Sequence, residues 1–189
     1  MPVMDLPPPQ YQQQVVCAIE AAVKYEIPAN LMLAVVEKEG GKPGQWVLNS
    51  NGTYDVGSMQ FNTKYLRDLA RHGITANDVA AEGCYPFDLA AWRLRGHIKN
   101  DEGDLWTRAA NYHSRTPEHN AKYRLDLRAK AAKWADWLAA RFVTVDITRP
   151  AAVPASTQIV ASLAPAEKPA ARPVRSSTEY VPRKLVAKD

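Results

Sequence analysis

Apolar positions recur at helical spacing along most of the chain, so the dominant element is the α-helix. Residues 12–25 place Val16, Ile19 and Val23 on one face. Pro28 and Asn30 then punctuate the chain, and Asn30 is placed to cap the next helix. That helix runs from Leu31 to about Glu39 and stops at Gly40-Gly41. Residues 42–56 hold Pro43, Gly44, Asn49, Asn51 and Gly52. This is turn chemistry, with room for a short β-hairpin around Trp46–Tyr54. Asn62 to His72 reads as a helix stopped by Gly73. Phe87, Ala91, Leu94 and Ile98 form a buried stripe after Pro86, and a further helix starts at Leu105. Tyr123, Leu127, Trp134, Leu138 and Phe142 stripe a long final helix. The chain has no internal repeat. The pattern predicts a mainly α domain over residues 11–143 with one small β or irregular segment.

Composition changes this picture only at the two ends. All nine Gly and all five Trp precede Phe142. Beyond it the chain is rich in Pro, Ala, Ser and Val, with seven of the 24 basic residues against four acids, a net +3. Such a segment lacks the apolar surface to offset its ordering entropy. Residues 144–189 therefore read as a disordered, Pro/Ala-rich basic tail. It is either a spacer or a segment that binds a partner or a cell-wall polymer. Residues 1–10, with Pro7-Pro8-Pro9, read as an extended arm. They lack the basic start and apolar stretch of a signal peptide, and Val15-Val16-Cys17 lacks the context of a lipid-attachment site.

The whole chain has 189 residues, 46% hydrophobic and 23% charged, enough for a real core. Its net charge of +4 is too weak to argue for nucleic acid. There is no apolar run of membrane-spanning length. His72, His97, His113 and His119 show no zinc spacing with Cys17 and Cys84. Phosphate loops, dinucleotide fingerprints and nucleophile elbows are likewise missing. Cys17 and Cys84 lie far apart, and a disulfide consistent with export or two buried thiols both fit the spacing.

Glu39 is the most informative residue. At 100° per residue it lies within about 20° of Met32 and about 60° of Val35 and Val36, on the apolar side of its helix. Glu37 points about 160° away, toward solvent. Desolvation and the helix C-terminus both push a carboxyl pKa upward. A carboxyl so placed stays protonated near neutral pH and can act as a general acid. The plain alternative is a helix-terminal Glu with a packing role. The segment from Asn49 to Asn62 then interleaves amides and hydroxyls with Tyr54 and Phe61. Sugars are bound in this way, with rings on aromatic faces and hydroxyls on amides. Asn111-Tyr112-His113-Ser114 begins a second polar and aromatic cluster.

In order and spacing these pieces resemble a lytic transglycosylase domain of the lysozyme superfamily, in the branch of small enzymes of conjugation, type IV secretion and pilus systems. The likeness runs from Cys17 to Phe142. It includes Cys17 and Ile27-Pro28, then Glu37-Lys38-Glu39-Gly40-Gly41. It continues through Asn51 to Asn62, Tyr65-Leu66, Cys84, Ala91-Trp92 and Tyr112 to Pro117. The resemblance implies a lysozyme-like α+β fold and a catalytic acid at Glu39. It implies a substrate groove at Tyr54, Gly57, Ser58, Met59, Gln60 and Asn62. Tyr112 would lie close to the acid, with His113 beside it, and Cys17 and Cys84 would be bridged. Gly40, Ser58 and His113 depart from the Ser, Leu and Asn usual in the wider family.

The resemblance further implies cleavage of the β-1,4 bond between N-acetylmuramic acid and N-acetylglucosamine in peptidoglycan strands. The product would be a 1,6-anhydro sugar, formed in the periplasm without a cofactor. The tail is a candidate contact for secretion components. Asp55 is the candidate second carboxylate, required only if the enzyme is instead a hydrolytic muramidase. A third reading is a retired, wall-binding assembly factor on the same fold.

Overall fold

The computed structural model describes residues 9–146 and 183–185. Helix α1 (Pro9–Lys24) leads into α2 (Ala29–Glu39). Three short strands follow, β1 (Trp46–Leu48), β2 (Tyr54–Val56) and β3 (Phe61–Asn62). Then come α3 (Thr63–Leu69), ending in a 3-10 turn at Ala70–His72, and the short α4 (Ala76–Ala80). The body closes with α5 (Tyr85–Asn100), α6 (Leu105–Ala110) and α7 (Pro117–Ala139). The architecture is the expected lysozyme-like helical domain with a small sheet.

Helix α2 lies at the centre of the core. Every residue from Ala29 to Val36 is buried, as in a helix that is apolar all round. It packs chiefly on α7 and on α1. Asn30 does not cap it. The helix starts one residue earlier, Pro28 takes the N-cap position without a side-chain bond, and Asn30 is fully buried inside the first turn. There its Nδ2 donates to the carbonyl of Ala131 on α7 at 3.1 Å, satisfying a polar group that would otherwise be costly to bury. At the other end Gly40 adopts φ 59°, the left-handed conformation that stops the helix directly after Glu39.

The buried face of α1 differs from the expected one. Val16 and Val23 are half exposed, whereas Cys17, Ala18, Ala21 and Ala22 are buried. Small side chains let α1 approach α2 and α5 closely, so packing follows size and not hydrophobicity alone. Cys17 is held there by a disulfide to Cys84, the residue preceding α5. The helix also begins at Pro9, inside the stretch expected to be an extended arm.

The sheet is antiparallel, ordered β1-β2-β3, with Val47 opposite Asp55 and Asp55 opposite Asn62. The β2–β3 turn is packed backbone to backbone. A Cβ on Gly57 would strike the carbonyl of Val79, and one on Gly41 would strike that of Gly57. Asn62 stitches the sheet to α3. Its Oδ1 accepts from the Lys64 amide as N-cap, while its Nδ2 donates to Asp55 at 2.8 Å and Thr53 at 2.9 Å.

Beyond α7, β4 (Thr144–Asp146) pairs antiparallel with β5 (Arg183–Leu185). Two short ends of the tail expected to be disordered are thus paired. The rest of that expectation falls on residues outside the described ones. No helix among the described residues is long and apolar enough to cross a membrane.

The Cys17–Cys84 bridge closes a loop with a sequence separation of 67. Replacing both cysteines with serine is expected to lower stability by roughly 2–4 kcal/mol, read as a lower denaturant midpoint. A count of two reactive thiols in the unreduced, unfolded wild type would contradict the bridge.

Candidate active site

The C-terminal end of α2, the sheet, α5 and the loop between α6 and α7 enclose a cleft of about 570 Å³. Glu39 stands in it opposite Asp55, with Gln60 and Asn62 from the sheet side and Tyr112 and His113 from the α6–α7 loop. Arg93 enters from α5.

Tyr123 of α7 donates a hydrogen bond to Glu39 Oε1 at 2.7 Å. This orients the carboxyl and leaves Oε2 as the oxygen able to carry a proton. Burial raises the pKa of Glu39 from the ordinary 4.5 to about 7. The Tyr123 bond and the positive charges of Arg93 and Lys38 oppose this rise, and the negative charge of Asp55 adds to it. Desolvation therefore outweighs the local hydrogen bond and the cations. Burial also raises the pKa of Tyr123, and the neighbouring Glu39 adds to that rise, so the phenol remains a donor.

The walls are fixed by polar side chains tied to backbone. Asn120, buried near the start of α7, donates to the carbonyls of Thr107 and Ser114 and to Asn111 Oδ1. It thereby clamps the loop that carries Tyr112, His113 and Ser114. The Tyr112 hydroxyl is buried and donates to the carbonyl of Met59 at 3.2 Å, joining this loop to the β2–β3 turn. His113 stacks on Tyr123 with ring centroids 4.8 Å apart and planes 5° from parallel. Burial, helped by the charge of Lys38, lowers the pKa of His113. Gln60 holds a left-handed φ of 49°, rare for a residue with a side chain, and its Nε2 donates to the Gly57 carbonyl at 2.8 Å. Strain of this kind concentrates at functional sites.

Glu39, Asp55, Gln60, Asn62, Tyr112 and His113 all line this one cleft. Four expected groove residues are not on its lining. Ser58 and Met59 are buried beneath it, because the tight β2–β3 turn points them into the core. Gly57 contributes only its backbone to the turn. Tyr54 lies on the sheet surface, edge-on to Trp46 at 5.9 Å. Glu37 is also not turned to solvent. It packs on α7, accepting from Trp134 Nε1 at 2.8 Å and pairing with Lys130 at 3.0 Å. Burial alone would raise the pKa of Glu37, but the bond and charge of Lys130 bring it below the ordinary value. The two glutamates two residues apart thus have pKa values shifted in opposite directions.

Sequence reasoning did not single out Tyr123 or Arg93 as site residues. Tyr123 had a usable signal, since a hydroxyl on a buried helix stripe must find a partner. Arg93 had none, because its place beside the cleft depends on how α5 packs. Asn49, Ser50, Asn51, Ser114 and His119 also line the cleft.

Residues 16–134 match the family described as the transglycosylase SLT domain. Over 110 residues the chain is 30% identical to Protein IpgF of Shigella flexneri, covering 58% of this chain and 72% of that protein. Over 118 residues it is 27% identical to Invasion protein IagB of Salmonella typhimurium, covering 62% and 71% respectively. The family match spans more than half of the chain and includes every side chain lining the cleft, so the chain belongs to the transglycosylase SLT domain family.

Proposed function

We propose that the protein cleaves the β-1,4 bond between N-acetylmuramic acid and N-acetylglucosamine in peptidoglycan, with Glu39 as the single acid and base. The observation that carries this reading is a cleft carboxyl with a pKa of about 7, oriented by Tyr123 in an SLT domain. Glu39 donates its proton to the glycosidic oxygen as the bond to C1 breaks. The resulting carboxylate takes the proton of the muramoyl C6 hydroxyl, and that oxygen closes on C1. A 1,6-anhydro sugar forms and Glu39 regains its proton. The attacking hydroxyl belongs to the same sugar, so proximity replaces activation of a water.

Asp55 lies in the cleft and raises the pKa of Glu39 through its charge, which also makes it the group a hydrolytic muramidase would use. Its hydrogen bond from Asn62, the N-cap of α3, supports a positioning and electrostatic role instead.

The cut serves to open the wall locally for a conjugation or secretion apparatus in the envelope. Likeness to a protein named for invasion supports a local role of this kind. The Cys17–Cys84 disulfide supports the periplasm as the site of action. The tail beyond α7 is the candidate contact for the apparatus.

Glu39→Gln is expected to reduce turbidity loss of purified peptidoglycan by at least about 100-fold, the scale of lost acid–base catalysis. Mass analysis of the wild-type digest should show muropeptides one water lighter than hydrolysed ones. Hydrolysed products that disappear in Asp55→Asn would instead establish the muramidase.

The rate needs the protonated carboxyl, so it should fall as pH rises through about 7. Asp55→Asn removes a charge that raises the pKa of Glu39 and should move this limb to lower pH. Tyr123→Phe removes a bond that favours the carboxylate and should move it to higher pH. Initial rates across a pH series check both directions.

A further inference from the structure

A second depression of about 520 Å³ lies against the outer face of α5. Arg93 lines both this groove and the Glu39 cleft. Its guanidinium lies 4.2 Å from the ring centre of Tyr65 and 4.5 Å from that of Tyr112, so two aromatic faces hold it in place. Arg95 and Arg115 also line the groove.

The anion in this groove is already engaged. Asp101 Oδ2 lies 2.7 Å from His97 Nδ1 and accepts from Asn111 at 2.8 Å, while Oδ1 accepts from Arg115 at 2.9 Å. Asp101 is thus committed to closing the α5–α6 corner. Neither Arg95 nor Arg93 has an ion pair among the described residues, and Arg93 is held by the faces of Tyr65 and Tyr112. The groove keeps a positive excess.

Its floor is open. Gly96 sits in the middle of α5, where glycine is a poor helix former, and a Cβ there would meet nothing within 4 Å. Packing does not require this glycine, and its lack of a side chain leaves the helix surface accessible between Trp92 and Asn100. Trp92 stands beside it, 49% exposed.

We propose that this groove is a subsite for the carboxylates of the peptide stems carried by a bound glycan strand. The assignment rests on peptidoglycan being the substrate. In a stem-bearing strand the lactyl carboxyl of each muramic acid is tied up in the stem amide, so the sugar backbone offers no charge to pair with a guanidinium. The carboxylates of a peptidoglycan strand lie on its peptides, and guanidinium is the group that pairs them bidentately. Arg93 lines both, so the groove adjoins the cleft, beside a strand seated on Glu39. Trp92 offers an apolar face to the stem.

The test compares strands bearing stem peptides with strands stripped by an amidase and then capped as methylamides, because the amidase frees one lactyl carboxylate on each muramic acid. Wild type should show a KM roughly tenfold lower on the stem-bearing strands, the scale of one charge-assisted hydrogen bond. In Arg95→Gln and in Gly96→Leu that preference should fall toward unity, through KM and not kcat. Independently, a soluble stem peptide with free carboxylates should shift the Trp92 indole signal saturably in ¹⁵N NMR. Arg95→Gln should abolish this shift, and added salt should weaken it. Equal KM for the two substrates in wild type, a silent Trp92, or an equal response to a poly-glutamate peptide would overturn the subsite. Cleavage of neither substrate by wild type would overturn the proposed function instead, while the Trp92 titration would still decide the subsite.

Discussion

A carboxyl at the end of a buried helix is penalised twice as an anion. It loses water, and it faces the negative end of the helix dipole. Glu39 is in that position at the last residue of α2. Among the described residues no close salt bridge relieves the penalty. The fold supplies a neutral phenol, Tyr123, and leaves the cations Arg93 and Lys38 to act from farther away. The proton therefore stays until near pH 7. The folded pKa exceeds the unfolded one, so the contribution of this group to stability is fully present in acid. It is lost as pH rises through about 7.

The rest of the architecture maintains this arrangement. The buried run Ala29–Val36 holds α2 in the core and fixes where its last residue emerges. Glu37, Lys130 and Trp134 lock the rotation of α2 on α7, so that Glu39 meets Tyr123 and not solvent. Asn120 ties the α6–α7 loop, and Tyr112 carries that fixation across the cleft to the carbonyl of Met59. Asn62 does the same for Asp55. Each wall is held by a buried or half-buried polar side chain bonded to its neighbours.

Much of this was legible in the sequence where a residue type has one strong physical reason to be in its place. The α5 stripe, the α7 stripe as far as Leu138, the Gly40 stop and the Gly73 stop followed from period and backbone freedom, whereas Phe142, expected on the α7 stripe, lies past the helix end at Ala139 and is exposed. The position of Glu39 on the apolar side followed from 100° geometry alone. Other features were illegible because they are decided by neighbours distant in sequence. The face of α1 was misread because alanines score weakly as hydrophobic yet pack best where helices approach. Glu37 was read as solvated because Lys130 and Trp134, about 95 residues away, could not be placed against it. α4 has only five residues, too short for a period, although the Thr75–Asp78 capping box marks its start. Asn30 looks like a cap locally, and only the Ala131 carbonyl explains its burial.

The central claim is that Glu39 retains its proton close to neutrality. A carbon-detected NMR titration of side-chain-labelled glutamate, assigned with Glu39→Gln, observes that proton directly. A midpoint near 7, well separated from that of Glu37, is the predicted result. A midpoint at the ordinary 4.5, unchanged when glycan is bound, would leave the cleft without its acid and contradict the account.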